Sequence, residues 1–153
     1  MSSGYPAPAF SIFAALHVTP GQTPQTETTL AQGELITGFV VPAGPWTRRS
    51  LYLKIRDRES YEFALASAAV ALDIRDGIVA EARIALGGVA TKPWRVAEAE
   101  AMLKGKPLDE HAAQAAADAA FAGAVTHGQN DYKPELGRRT LVRALLQAAA
   151  MEV

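Results

Sequence analysis

Histidine, serine and cysteine most often carry catalysis, but their spacing in this chain predicts neither a catalytic site nor a metal site. His17, His111 and His127 lie far apart, and none of the HxH, HxxxH or HExxH spacings places two imidazoles on one face. No G-x-S-x-G elbow surrounds a serine. The chain has no cysteine, which excludes thiolate zinc sites, cysteine-held iron–sulfur clusters and cysteine nucleophiles within it.

The densest charge lies between residues 48 and 58. If this stretch is a strand, Lys54 and Arg56 share one face, opposite the leucine and isoleucine that alternate with them. Tyr52 and Tyr61 add aromatic surface nearby. The pattern alone fits a solvated face, an anion or nucleotide contact, or a nucleic-acid contact. The five cations are Arg48, Arg49, Lys54, Arg56 and Arg58.

The glycine pair Gly87-Gly88 could be a phosphate-binding turn, because it follows a predicted strand and precedes a predicted helix. It has neither the G-x-G-x-x-G spacing nor a GK[ST] ending. A tight turn with close backbone approach is therefore the simpler interpretation.

Acidic side chains have structural interpretations as well. Asp109 is expected to cap a helix N-terminus, followed by Glu110 in the first turn. Glu98 and Glu100 are expected at solvated helix positions.

Composition narrows the class of protein. A length of 153 residues fits one domain, or one domain with an appendage. The formal charge of −1 argues against a nucleic-acid footprint and against a polybasic membrane surface. No apolar run approaches the ~18 residues of a membrane span. No basic residue precedes the first apolar stretch, so we expect no secretory signal and a cytoplasmic location.

After an irregular segment over residues 1–33, the pattern predicts strands. Residues 34–42, 51–56, 63–74 and 78–86 are the predicted strands. Asp76-Gly77 predicts a hairpin, because this dipeptide favours the left-handed turn that matches strand twist. The last strand is expected to bury one face formed by Ile78, Ala80, Ala82, Ile84 and Leu86.

Three helices are predicted in the rest of the chain. The first begins beyond Pro93, which is expected near its first turn, and stops near Gly105, with a buried stripe of Val96, Ala99 and Leu103. The others cover residues 108–125, of which half are alanine, and 133–150. Strands followed by helices predict an α+β fold, with three helices packed on one face of an antiparallel sheet of three to four strands.

Three segments resemble a known family. They read SLYLKIRDRESYEFALASAAVALD, ARIALGGVATKPWRVAEAEAMLKG and NDYKPELGRRTLVRALL. Together they resemble the C-terminal domain of the flavoprotein (medium) subunit of molybdenum hydroxylases, a group that includes carbon monoxide dehydrogenase, xanthine dehydrogenase and aldehyde oxidoreductase. The resemblance covers roughly residues 33–148, and ALGGVATKPWRVAEAE is its most specific part. Pro134 and Gly137 depart from the helix-favouring residues usual in the last motif.

The resemblance implies two parts. Residues 1–43, which contain LHVTPGQTPQTETTLAQGELITGFVVP, would be the tail of an FAD-binding domain with the strand leading out of it. Residues 44–153 would be the C-terminal domain. The glycine-rich pyrophosphate loop of the main FAD-binding domain has no counterpart in this sequence.

The resemblance also implies a function. The domain would help to hold FAD and to dock subunits, so that electrons pass from iron–sulfur centres to FAD, without being catalytic as an isolated chain. Molybdopterin and iron–sulfur clusters would belong to a large and a small partner subunit or to the missing part. Lys54 and Ile36 match flavin-contact positions, and Arg56, Arg58 and Tyr61 match a segment near the flavin. The alternative is a scaffold of the same fold that has lost flavin.

Overall fold

The computed structural model describes residues 11 and 13–153 and divides them into two compact units. The first unit ends at Phe39 and the second spans Val40–Val153. In the first unit, helix α1 (Phe13–Leu16) is followed by one antiparallel bridge between His17 and Thr28. The part of the irregular segment predicted over residues 1–10 lies outside the described residues. Nowhere in the described part is a helix both long and apolar enough to cross a membrane.

The strand predicted over residues 34–42 is wrong. The backbone of residues 34–42 has no regular secondary structure. An extended segment becomes a strand only when a neighbouring strand satisfies its backbone groups, and no residue in the described ranges pairs with this one. Its large side chains are exposed at Leu35, Ile36, Phe39, Val40 and Val41.

The second unit begins with a 3₁₀ turn (Pro45–Arg48) that leads into a four-stranded antiparallel sheet. The three strands predicted over residues 51–56, 63–74 and 78–86 are confirmed, with their ends shifted by at most a few residues. A short fourth strand extends the sheet beyond the third. The strands lie in sequence order as β1 (Arg49–Ile55), β2 (Ala66–Arg75), β3 (Ile78–Gly87) and β4 (Trp94–Arg95).

The Asp76-Gly77 hairpin between β2 and β3 is confirmed. Both turn residues have positive φ, 51° and 78°, as a type I′ turn requires. The predicted buried face of β3 is only partly right. Opposite Asp73 and Ile74, the register shifts and Ala80 is an extra residue in β3. The alternation of β3 changes at this point, so Val79 is buried in place of Ile78 and Ala80.

Three helices follow: α2 (Ala97–Leu103), α3 (Glu110–Ala120) and α4 (Lys133–Ala149). Helix α2 begins four residues after Pro93, so Pro93 does not lie near its first turn as predicted, because β4 and the N-cap residue Val96 come between them. The buried stripe predicted for α2 is confirmed. Pro134 lies in the first turn of α4, where its missing N–H is tolerated.

The core lies between the sheet and the helices, which confirms the α+β fold. Leu72 and Ile84 contribute from the sheet, and Leu103, Leu141 and Leu145 from the helices, each at most 1% exposed. The alanines of α3 lack long side chains, so the neighbouring helices approach closely. The fully buried ones are Ala113, Ala116 and Ala117.

The Asp109 cap gives a first testable prediction. Its Oδ1 accepts a hydrogen bond from the Ala112 N–H at 2.7 Å, as predicted. Replacing Asp109 with Ala should lower the free energy of unfolding by about 1 kcal/mol, measured by urea denaturation. Asp131→Ala, at an exposed loop position, is the control. Equal effects of the two substitutions would contradict the capping role.

Candidate functional site

The face of the sheet turned away from α2, α3 and α4 is the candidate site, and we call it the outer face. Side chains alternate along each strand, so the residues between the buried ones lie on this side. Its floor is formed by small side chains, which leave a shallow trough of about 450 Å³. The outer face consists of Ser50, Tyr52, Lys54, Ser67, Ala69, Ala71, Arg83, Ala85, Gly87 and Arg95.

Lys54 lies on the outer face of β1, as the alternation predicted, but it is partly buried where the sequence predicted an exposed position. It lies in one row with Ser67 and Gly87, and Ser67, directly opposite, is only 5% exposed. Among residues 11 and 13–153, no carboxylate forms an ion pair with Lys54.

Three arginines of the sheet form ion pairs within the chain. The hydrogen bond to Glu100 raises the pKa of Arg95 above its ordinary value. Arg83 also stacks on the ring of Trp46, with 5.0 Å from its guanidinium carbon to the ring centroid. The ion pairs are Arg75 with Asp73, Arg83 with Glu81, and Arg95 with Glu100.

Among the polar residues, Glu100 differs most from its predicted environment. It was expected on a solvated helix face, but it is only 9% exposed. Its Oε1 accepts from the Ile84 N–H at 2.9 Å and from Arg95 at 3.0 Å. In the described sheet, β4 pairs with Ala85 and Leu86 and leaves the N–H of Ile84 without a strand partner. The Glu100 carboxylate accepts from this N–H at the edge of β3. Glu98 is exposed, as predicted.

The loop between β1 and β2 carries the residues that the resemblance places near a flavin. Arg56, Arg58 and Tyr61 are all exposed. Tyr61 has a φ of 55°, and its carbonyl accepts a hydrogen bond from the Arg58 guanidinium. Phe63 is 94% exposed. The loop therefore presents aromatic and cationic side chains to solvent.

Lys133 anchors the end of this loop. Its Nζ donates to the carbonyls of Leu65 at 3.1 Å and Gly88 at 2.9 Å. Gly88 has a φ of 72°, and a Cβ there would lie 2.9 Å from the Ala64 carbonyl oxygen. The close backbone approach predicted for the glycine pair is thus confirmed. No spacing in the sequence singles out Lys133, because its acceptors are backbone groups distant along the chain.

A cleft of about 240 Å³ lies apart from the outer face, between the segment after β3 and the one before α4. Its walls are mostly apolar, with Trp94, Phe121 and Val125 the largest. The cleft contains no residue that the sequence predicts to be functional.

Ile36, the other predicted flavin contact, belongs to the first unit, whereas Lys54 belongs to the second. Ile36 is 48% exposed in the extended segment, so it is free to contact an apolar surface. In the described ranges, no cluster of three or more histidine, aspartate or glutamate side chains could hold a metal ion.

Comparison with known proteins identifies the fold. A family model described as the CO dehydrogenase flavoprotein C-terminal domain matches residues 51–151. The chain is 44% identical over 131 residues to the aldehyde oxidoreductase FAD-binding subunit PaoB of Escherichia coli strain K12, covering 86% of this chain and 38% of PaoB. It is 35% identical over 127 residues to the nicotine 6-hydroxylase medium subunit of Paenarthrobacter nicotinovorans, covering 76% and 43%.

Solved structures agree with these matches. Carbon monoxide dehydrogenase from Hydrogenophaga pseudoflava, in a form lacking the Mo-pyranopterin moiety of its cofactor, matches with a TM-score of 0.59 and 38% identity, over 65% of this chain and 36% of that one. Quinoline 2-oxidoreductase from Pseudomonas putida 86 matches with a TM-score of 0.60 and 31% identity, over 66% and 36%. The chain spans about two fifths of the length of these relatives. As the sequence resemblance predicted, this chain belongs to the family of CO dehydrogenase flavoprotein C-terminal domains.

Proposed function

We propose that this chain supplies the C-terminal domain of the FAD subunit of a molybdenum hydroxylase. It would help to hold FAD and to dock subunits while electrons pass from iron–sulfur centres to FAD. Two findings support this role: the chain belongs to the flavoprotein C-terminal domain family, and its relative PaoB is named an FAD-binding subunit. Because the chain spans about two fifths of its relatives, the main FAD-binding domain would be a companion, joined in the same polypeptide or supplied separately.

Lys54 carries the proposal. Its side chain is partly buried on the outer face and forms no ion pair in the described ranges, whereas Arg83 and Arg95 on the same face are paired with carboxylates. Such an ammonium fits a flavin carbonyl or a phosphate oxygen, since hydrogen bonds assisted by charge are the stronger ones. Bound FAD would supply the electron-carrying chemistry. Lys54 would only bind and orient it.

Ile36 is proposed as an apolar contact with the same cofactor. The exposed loop residues Arg56, Arg58 and Tyr61 are proposed to lie near it. These contacts cannot offset the entropy lost on binding so large a cofactor without the companion domain. We therefore expect the isolated chain neither to hold FAD nor to act as a catalyst.

The partners are proposed by the same reasoning. A large subunit would hold molybdopterin. A small subunit, or the companion domain, would hold the iron–sulfur clusters, because this chain has no cysteine to ligate them. A cytoplasmic location stays a prediction from the sequence.

A chimera tests the proposal. It replaces the matched segment of PaoB with the whole of this chain, and FAD binding is titrated by quenching of flavin fluorescence. We expect the chimera to bind FAD and the isolated chain not to bind it. A folded chimera that leaves flavin fluorescence unchanged would favour the scaffold alternative.

Lys54 has its own prediction. Lys54→Met keeps most of the side-chain stem but removes the charge. FAD affinity of the chimera should fall by about 1.5–3 kcal/mol, which is roughly 10- to 150-fold in Kd. Lys104→Met, at an exposed position, is the matched control. Equal FAD affinities of the two variants, with unchanged circular dichroism, would make Lys54 an ordinary surface cation.

A further inference from the structure

We propose that Lys133 is a positioning residue for the flavin, because it fixes the end of the loop whose residues are proposed to lie near the cofactor. This inference rests on the proposed function, since that function places FAD beside the loop between β1 and β2. It adds a residue that the resemblance does not name as a flavin contact. Lys133 would act through the loop and not by touching the flavin.

The two ends of this loop meet at Leu65. Its N–H donates to the carbonyl of Ile55, the last residue of β1, at 2.8 Å. Its carbonyl accepts a hydrogen bond from the Lys133 Nζ at 3.1 Å. Leu65 directly precedes β2, in which Ser67 lies opposite Lys54. A fixed Leu65 therefore sets where the loop returns to the sheet, close to the lysine proposed to bind FAD.

The second hydrogen bond of Lys133 joins this point to the turn after β3. Its Nζ donates to the carbonyl of Gly88 at 2.9 Å. A Cβ at Gly88 would lie 2.9 Å from the Ala64 carbonyl oxygen and 3.2 Å from that of Leu65, so glycine allows the two backbone segments to approach closely. The ammonium therefore joins the end of the loop, the turn after β3 and the start of α4.

The start of a helix is an unfavourable place for a lysine. The helix dipole leaves partial positive charge at the N-terminus, which favours acidic side chains and disfavours cations. Lys133 is the first residue of α4, and in the described ranges no carboxylate forms an ion pair with it. The two carbonyl groups offset this cost, because hydrogen bonds from a charged donor are the stronger ones. A residue that opposes its local preference points to a role set by distant groups.

Contacts inside the loop are too weak to hold it in place. The Arg58 N–H donates to the Glu62 carboxylate at 3.0 Å, and the two side chains form an ion pair at 3.7 Å. The Arg58 side chain is 63% exposed, and exposed ion pairs contribute little. Tyr61 has a positive φ of 55°, which persists only where the surrounding structure fixes the chain. The anchor at Lys133 provides such a fixed end.

A fixed loop favours binding of the cofactor. Arg56, Arg58 and Tyr61 of this loop are proposed to lie near FAD. If the loop were free, binding would have to order it, and that lost entropy would weaken the affinity. Lys133 orders the end of the loop before FAD arrives.

Backbone order parameters from NMR relaxation of this chain test whether Lys133 fixes the loop. Lys133→Met removes the ammonium and keeps most of the stem. We expect the order parameters of residues 62–65 to fall from about 0.85 to below about 0.6, while those of β2 stay unchanged. Arg143→Met, at an exposed position of the same helix, is the matched control and should change neither. Lys133→Gln serves if the first variant folds poorly.

FAD titration of the PaoB chimera tests the effect on the flavin. Lys133→Met should raise the Kd for FAD about tenfold, as expected for the loss of one charge-assisted hydrogen bond. It should also change the visible circular dichroism of bound flavin at saturation. Lys133→Arg should recover most of the affinity, because a guanidinium can donate to both carbonyl groups. Arg143→Met should leave the affinity unchanged.

The two measurements separate this inference from the proposed function. Unchanged order parameters in Lys133→Met would overturn the inference. A disordered loop with equal FAD affinities of the Lys133→Met and Arg143→Met chimeras would also overturn it, since Lys133 would then be a structural anchor only. Both results leave the proposed function intact. An unsubstituted chimera that binds no FAD counts against the proposed function, and the order parameters still decide whether Lys133 fixes the loop.

Discussion

Replacing Glu100 with Leu is expected to lower the free energy of unfolding by about 3 kcal/mol. The carboxylate accepts hydrogen bonds from the Ile84 N–H and from Arg95. Without it, the buried backbone N–H of Ile84 has no acceptor, and an unsatisfied buried donor costs more than a typical hydrogen bond contributes. Arg95 adds less to the loss, because its side chain is 57% exposed and water can solvate it.

Urea denaturation monitored by circular dichroism measures this effect. Glu98→Leu is the control, since Glu98 lies on the same helix but is exposed, and it should change stability by at most about 0.5 kcal/mol. Glu100→Gln should fall between the two, because the amide oxygen can still accept from Ile84. A loss for Glu100→Leu no larger than for Glu98→Leu would show that the carboxylate does not stabilise the edge of β3.

Replacing Gly137 with Ala is expected to destabilise the protein by about 3 kcal/mol, the upper end of the usual cost of overpacking. A Cβ at this position would lie 2.2 Å from the ring of Phe121. In an exposed helix the same change would stabilise by about 1 kcal/mol. Here the steric term dominates, because the new methyl group would fit only if the ring of Phe121, which is 6% exposed, shifted from its packed position.

A double-mutant cycle distinguishes a clash with this ring from a general defect in α4. Phe121→Leu removes the ring edge that the new methyl group would meet, so Gly137→Ala should cost at least about 1.5 kcal/mol less in that background. Thermal and urea unfolding of the four proteins provide the measurement. An unchanged cost of Gly137→Ala in the Phe121→Leu protein would rule out the ring as the cause.

Sequence patterns predicted the parts of the fold that depend on local interactions. The Asp76-Gly77 hairpin and the Asp109 cap are set by residues close together in the chain, and both are confirmed. The bulge in β3 at Ala80, opposite Asp73 and Ile74, was missed, because a register shift depends on how two strands fit together. The strand predicted over residues 34–42 failed because its side chains suit a sheet that the described chain does not provide.

The candidate site was less predictable for the same reason. Alternation placed Lys54 on one face of β1, but its partial burial does not follow from the spacing of residues along one strand. Glu100 and Lys133 take their roles from backbone groups distant in sequence. The flavin assignments of Lys54 and Ile36 came from resemblance and stay predictions.

The central claim is that this domain completes a module that passes electrons to FAD. The direct measurement uses the aldehyde oxidoreductase of Escherichia coli with its PaoB subunit replaced by the chimera, loaded with FAD and kept free of oxygen. After aldehyde is added, the absorbance of oxidised flavin should bleach at a rate comparable to that of the unmodified enzyme. An assembled enzyme that retains FAD but whose flavin stays oxidised would contradict the claim.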